Sequence, residues 1–303
     1  MRPGATLGLD LGGSKLLAVV VGGDGTVLDR ERLPTGRTTG PGEAIALARQ
    51  AAGALRARGA DFAAAGLGFP GLVDHSAGLV RSSVMLDDWK DVRFADRLSE
   101  ALAVPCLVDN DVNMAAFAEI ARRRTDGDPP ATTIFVFVGT GIGGAIAIDG
   151  ALYRGPGGLA GEIGNTTVDH AGEVCWCGRR GCLNTLASGS AIAAALGNGG
   201  TALAERFLNG DPVTVRVVER AAHWLGVGLG NAINLLNPAL VVLGGGVAEL
   251  GPRYLATVRQ AALRESFAEA AGACRFELAR AGYEAGALGA GLMARPLAAP
   301  GAA

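Results

Sequence analysis

Apolar runs broken by glycine open the chain: ATLGLDLGGSKLLAVVVGGDGTVLDRERLPT predicts three strands joined by tight turns, with GGDG as a hairpin signal. The next segment, GEAIALARQAAGALRARG, changes period. Ile45, Leu47, Ala48, Ala51 and Leu55 fall at helical spacing, and AAAGLGFP then reads as a short strand closed by Gly and Pro. VRFADRLSEALAV is amphipathic, VPCLVDND is a strand ending in acidic and amide residues, and VNMAAFAEIARRR is a helix that begins at once. The carboxyl end of that strand therefore meets a helix N-terminus.

A second cycle starts at ATTIFVFVGTGIGGAIAIDGALYRG, a β-branched and aromatic run broken by a glycine turn, again a strand hairpin. Both halves thus set a Gly-rich turn between apolar strands, DLGGSK and GTGIGG, which suggests related lobes although the similarity is too short to establish a repeat. VTVRVVERAAHWLGVGLGNAINLLNP predicts a long apolar-faced helix, ALVVLGGGV a buried strand, and GPRYLATVRQAALRESF a further helix. The tail LAAPGAA is expected to fray.

Composition narrows the class. With 303 residues, 49% of them hydrophobic, the chain can bury a core without metal or disulfide staples, and its length suits two domains. A net charge of -2 and scattered arginines offer no field for a phosphodiester backbone, so no nucleic-acid partner is expected. No apolar run approaches the roughly 20 residues that span a bilayer, and MRPGATLGLDLGG has no signal-peptide pattern, so the expectation is a cytoplasmic protein with no membrane partner. Of five cysteines, Cys175, Cys177 and Cys182 crowd together, which suits metal ligation in a reducing compartment better than a disulfide framework. Cys106 and Cys274 are expected to be buried thiols.

The candidate chemistry sits at the turns. Asp10 to Lys15 places a carboxylate at a strand end beside glycines that let backbone N–H groups approach an anion. A plain hairpin is the competing reading, since the run is neither a P-loop nor a dinucleotide fingerprint. Gly139 to Gly144 is as ambiguous alone, but two such turns in two lobes would grip one polyphosphate between them. In VDNDVN, Asp111 is placed to accept a hydroxyl proton during phosphoryl transfer while Asn110 orients the alcohol; an N-cap aspartate is the alternative. Asp109 is expected to be exposed, and His75 and His223 to be structural.

With these residues in hand, the chain resembles the ROK family of sugar kinases and repressors, a branch of the actin-like, hexokinase-like ATPases. The match runs nearly end to end, through DLGGSK, GFPGLVD, NDVN, GTGIGG, ALYRGPGGLAGEIG, CWCGRRGC and NLLNPALVVLGGG. It implies an α/β, two-lobed actin-like ATPase (ribonuclease H-like) fold closing on a cleft, with lobes 1–115 plus 287–303 and 116–286, and a cysteine-rich zinc-type loop over 165–182. It also implies Mg²⁺–ATP as phosphoryl donor, Asp111 as general base, and Asn110, Glu162 and Gly71 on the substrate side. Asp10, Gly12, Gly13, Ser14 and Lys15 would face phosphates and Mg²⁺, with Gly139, Thr140, Gly141, Gly244 and Gly245 also on the nucleotide. A homo-oligomer, dimer or tetramer, is expected.

Two positions depart from the family. Its kinases usually carry Glu-x-Gly-His where this chain has Glu162-Ile163-Gly164-Asn165, and a glutamate where it has Asn184. Both changes fall at the C1 and C2 end of the sugar. The histidine is also a zinc ligand, so a Cys₃His site over Cys175, Cys177 and Cys182 needs another fourth ligand, for which His170 is the expectation. The expected activity is an ATP-dependent kinase acting on a primary hydroxyl of a hexose or hexose-like polyol. The acceptor would be a sugar altered at C1 or C2, or a C7-cyclitol, with ordinary glucokinase as the alternative. A repressor is disfavoured, because the phosphate strand starts too near Met1 for a winged helix-turn-helix, and a catalytically silent sugar sensor is disfavoured by the retained Asp111.

Overall fold

The computed structural model describes residues 4–36, 38–83, 86–128, 131–197 and 202–298, so most of the LAAPGAA tail lies outside the described residues. The chain divides into two compact units, Met1–Gly127 with Arg154–Ala160 and Ala281–Ala303, and Asp128–Tyr153 with Gly161–Arg280.

The first unit begins with the expected meander: β1 (Thr6–Leu11), β2 (Lys15–Val21) and β3 (Val27–Pro34) pair antiparallel in turn. β1 and β2 are buried almost throughout, hence their continuous apolar runs, whereas edge strand β3 alternates half-buried and exposed positions. Helix α1 (Pro41–Ala57) has proline in its first turn and buries one stripe, Ala44, Ala48, Ala51, Ala52 and Leu55. After β4 (Ala64–Phe69), parallel to β1, comes a small sheet of β5 (Leu72–Asp74), β6 (Leu79–Ser82) and β7 (Lys90–Arg93). Helix α2 (Phe94–Leu102) leads to β8 (Cys106–Asn110), parallel to β4, and α3 (Asp111–Thr125) starts on the next residue.

The second unit repeats the scheme. β9 (Thr133–Val138), β10 (Ile142–Ile148) and β11 (Ala151–Tyr153) form an antiparallel meander. Three short helices follow, α4 (Leu183–Ala187), α5 (Gly189–Leu196) and α6 (Leu203–Leu208). The long α7 (Pro212–Leu236) is capped by Asp211, which accepts from the Thr214 amide, and buries Val218, Ala222, Leu225, Leu229 and Ile233 on one face. β12 (Leu240–Gly244) pairs parallel to β9, and after α8 (Pro252–Arg264) and α9 (Ala268–Ala273), β13 (Arg275–Leu278) pairs parallel to β12. The two five-stranded sheets, β3-β2-β1-β4-β8 and β11-β10-β9-β12-β13, share one order and one pattern of strand sense. The returning glycine-turn motif therefore marks a returning topology.

Helix α10 (Ala285–Met293) belongs to the first unit, and glycines let it lie against backbone: a Cβ at Gly289 would run into the Met114 carbonyl of α3. Beside it Glu119 and Arg123 form a fully buried ion pair at 2.9 Å, and the other Glu119 oxygen accepts from the Ala281 amide at 2.9 Å. The division carries the whole of α3 with the first unit, where the sequence expectation set the boundary after residue 115, inside that helix. No helix among the described residues is long and apolar enough to cross a membrane.

Candidate functional site

The glycine turn of the first unit joins β1 to β2. The Gly12 amide donates to the Lys15 carbonyl at 2.8 Å, and Thr35 holds the turn through its hydroxyl to the Gly12 carbonyl at 2.6 Å. Asp10 stands at the end of β1, with Gly286 of α10 packed so close that a Cβ there would come within 2.9 Å of the carboxylate. Lys15 lies with its ammonium 3.6 Å from the centroid of the Tyr283 ring. Burial pushes the Asp10 carboxyl up to about 6, and the Lys15 charge offsets this only in part. Desolvation, with Arg32 adding repulsion, lowers Lys15.

That shift has a measurable sign. Asp10 in the folded chain titrates at about 6 against a usual 3.8, so between these values the folded state holds more protons than the unfolded. Stability from this group therefore falls as pH rises through that window and stays lower above it. Asp10→Asn is expected to raise stability at pH 7 by on the order of 1–3 kcal/mol. The gain should vanish below about pH 4. Urea midpoints at pH 7 and at low pH measure this; a variant no more stable than wild type at pH 7 would contradict the burial argument.

At the junction of β8 and α3 it is Asn110, not Asp111, that caps the helix: its Oδ1 accepts from the amides of Val112 (2.9 Å) and Asn113 (3.2 Å). Its Nδ2 donates to the Gly71 carbonyl at 3.1 Å, which brings two of the expected substrate-side residues together. One amide hydrogen of Asn110 remains. Asp111 is half-buried in the first turn of α3, where its Oδ1 accepts from the Val112 amide at 2.9 Å and its charge faces the positive end of the helix.

Asp109 corrects the expectation of an exposed flanking residue: it is fully buried. Its Oδ2 accepts from Arg154 Nε at 2.7 Å, and its Oδ1 from the Asn110 amide (2.7 Å) and Asn113 Nδ2 (2.9 Å). His75, read as structural, hydrogen-bonds the Val108 carbonyl through Nδ1 at 3.0 Å. Sequence reasoning passed over Arg154, although it stands in the ALYRG segment. A carboxylate this deep requires a cation, and Arg154 anchors the stretch Arg154–Ala160 within the first unit.

In the second unit the β9–β10 turn is tied by the Gly139 amide to the Gly141 carbonyl at 2.8 Å, and the Gly189 amide donates to the Gly139 carbonyl at 2.8 Å. Gly245, after β12, has φ +83, and a Cβ there would meet the Val138 backbone; at Gly244 it would meet the Phe137 ring. A polar chain leaves the turn. The Ile142 amide donates to Asn184 Oδ1 (2.7 Å), Asn184 Nδ2 to Asn165 Oδ1 (2.9 Å), and Asn165 Nδ2 to Glu162 Oε2 (3.3 Å). Both asparagines are buried. Because the chain starts at a donor and ends at an acceptor-only carboxylate, both amide orientations are set. Glu162 is exposed, yet the walls around it desolvate its carboxyl enough to raise its pKa. Nearby lies a cavity of about 250 Å³ walled by Ile134, Ile146, Leu235 and Leu236, with Glu162 its one charged residue, a lining ill matched to a polyol.

The three cysteines come together: the Sγ atoms of Cys175, Cys177 and Cys182 all lie within 4.8 Å of one another, and Cys177 and Cys182 are 3.5 Å apart. A tetrahedral zinc with Zn–S near 2.3 Å sets its sulfurs about 3.8 Å apart. The spacing fits. His170 is not with them. It is exposed in a turn that Asp169 closes, by its carboxylate to the Ala171 amide (2.9 Å) and its carbonyl to the Gly172 amide (3.0 Å). Arg179, which sequence reasoning did not single out, donates from Nη2 to the Asn165 carbonyl at 2.6 Å and hydrogen-bonds Cys177. Burial pushes the Cys177 thiol up, but hydrogen bonds from Arg179 and its thiol neighbours outweigh this and bring it to about 7. Cys182, desolvated beside the other sulfurs, goes up to about 12. Cys274 is buried as expected, while Cys106 is half-buried.

The ROK family model matches residues 6–296. The chain is 30% identical to a glucokinase of Halalkalibacterium halodurans over 95% of its length and 94% of the relative's. It is 34% identical to an N-acetylmannosamine kinase of Escherichia fergusonii over 96% and 98%. Among solved structures it resembles a ROK family glucokinase from Streptomyces griseus in complex with glucose and AMPPNP, with TM-score 0.84 and 31% identity, covering 96% of this chain and 99% of that one. The duplicated sheets are those of the actin-like ATPase fold, and the chain belongs to the ROK family.

Proposed function

We propose that the protein is an ATP-dependent sugar kinase that phosphorylates a primary hydroxyl of a hexose-like acceptor other than glucose. The observation that carries the phosphotransferase part is the junction of β8 and α3, where Asp111 is presented beside the capping amide of Asn110. Asp111 accepts the hydroxyl proton as the acceptor oxygen attacks the γ-phosphorus, and ADP leaves. Asn110 keeps one amide hydrogen to orient the alcohol. The turns at Gly12–Lys15 and Gly139–Gly141, each closed by its first glycine amide, would meet the nucleotide phosphates through their other backbone amides, with Gly244 and Gly245 on the nucleotide side. When bound, Mg²⁺ neutralises charge on the transferring phosphates. Asp10, a carboxylate that burial penalises, is the side chain suited to it.

The acceptor reading rests on the amide chain. Where the family's kinases place an imidazole and a carboxylate, this protein presents two neutral amides whose orientations are set by their neighbours. Asn184 uses both polar atoms internally, so it acts mainly by holding Asn165, which keeps an N–H to offer beside the Glu162 carboxylate. Such an end favours an acceptor oxygen on the substrate and disfavours glucose. The 34% identity to an N-acetylmannosamine kinase supports a hexose altered at C2. A C7-cyclitol is the second reading, favoured by the same loss of charged partners at the C1 and C2 end. The three thiolates would hold a zinc ion that fixes the loop carrying Asn165. A coupled ADP-release assay over glucose, 2-acetamido hexoses, other hexoses and cyclitols tests the acceptor; efficient use of glucose alone would overturn the non-glucose reading.

A further inference from the structure

We infer that the metal site at Cys175, Cys177 and Cys182 has three protein ligands only, and that its fourth position takes an exchangeable small anionic donor from solution, for which an added thiol is the probe. The inference rests on the reading that these thiols bind a divalent metal, and not on the kinase assignment. The three sulfurs form the one group of Cys, His, Asp and Glu ligand atoms among the described residues close enough to share a metal, and the undescribed residues contain none of these four types. His170 faces solvent from its own turn. The side chain of Asn165 is committed to Asn184 and Glu162, so only its carbonyl approaches the thiols, 3.6 Å from Cys182 Sγ, and that oxygen already accepts from Arg179.

Zinc and cobalt(II) at thiolates take four donors; a closed structural site draws all four from protein, whereas three leave a place for an outside ligand. The approach is open on one side. Cys175 and Cys182 are buried, but Cys177 is half-buried, and Val174 and Trp176 of the same loop are 60% and 56% exposed. The Arg179 guanidinium beside Cys177 gives an arriving anion a cation to meet.

The test uses the full-length protein loaded with cobalt(II), whose visible d–d bands report the donor set. Wild type and His170→Ala should both bind one equivalent and show the same saturable band shift on titration with 2-mercaptoethanol. Cys177→Ser, with two thiolates left, should show weaker thiolate-to-metal absorption and hold cobalt less tightly. Asn165→His, which puts an imidazole on the residue whose carbonyl lies 3.6 Å from Cys182 Sγ, should abolish the response to 2-mercaptoethanol and hold cobalt against a chelator that strips the wild type. Bands in wild type that bind metal yet ignore the added thiol would overturn the inference, since a protein group then closes the site. Loss of metal in His170→Ala would overturn it in favour of that histidine. Absence of cobalt binding in wild type would remove the metal reading itself.

Discussion

Asp111→Asn is expected to lower kcat for phosphoryl transfer by about 10²–10⁴-fold, the usual worth of a positioned general base, while acceptor affinity changes little. The separation follows from the junction. Asn110, not Asp111, caps α3, so removing the charge leaves the helix start intact, and an amide oxygen at position 111 can still accept from the Val112 amide. The variant keeps the shape and loses the proton acceptor. Single-turnover rates and equilibrium titration with the acceptor check both halves; turnover near wild type would exclude Asp111 as the base, and loss of binding would make it a ligand instead.

The second large effect concerns acceptor choice. Asn165→His with Asn184→Glu should raise kcat/KM for glucose and lower it for the native acceptor, by an amount greater than the singles combined. Hydrogen bonds to charged groups contribute about 1.5–3 kcal/mol each. Coupling is expected because the two amides touch at 2.9 Å in a directed chain. In the single Asn184→Glu variant the new carboxylate can still accept from the Ile142 amide but is set against Asn165 Oδ1, and flipping Asn165 would turn its oxygen onto Glu162. An imidazole at position 165 removes that conflict by donating to the new carboxylate. Additive singles, or a wild type already using glucose at roughly 10⁴ M⁻¹s⁻¹ or more, would end the non-glucose reading.

Much of the fold is legible where glycine punctuates long apolar runs. LGGS and GTGI mark the β1–β2 and β9–β10 turns, and the shared topology of the two sheets follows their recurrence. The β5–β6–β7 sheet was not legible, because LVD, LVRS and KDVR are too short and polar to carry a period of two. Asp109 looks exposed in VDNDVN because its partner Arg154 is 45 positions away, and only the folded chain brings the charges together. Spacing alone nominates His170 as a fourth ligand; the turn that Asp169 closes, a matter of local hydrogen bonds, leaves it outside the thiol group. Likewise, the family resemblance points to two asparagines in place of a histidine and a glutamate but not to Asn184 spending both polar atoms inside the protein.

Whether the protein transfers phosphate to a sugar-like alcohol is decided by ³¹P and ¹³C NMR of the products after incubation with Mg²⁺–ATP and the best acceptor of the panel. One phosphate ester on the acceptor's primary carbon is expected for each ADP formed, and none with Asp111→Asn. ATP hydrolysis that ignores the acceptor, or no ADP with any hexose or cyclitol, would contradict the kinase assignment.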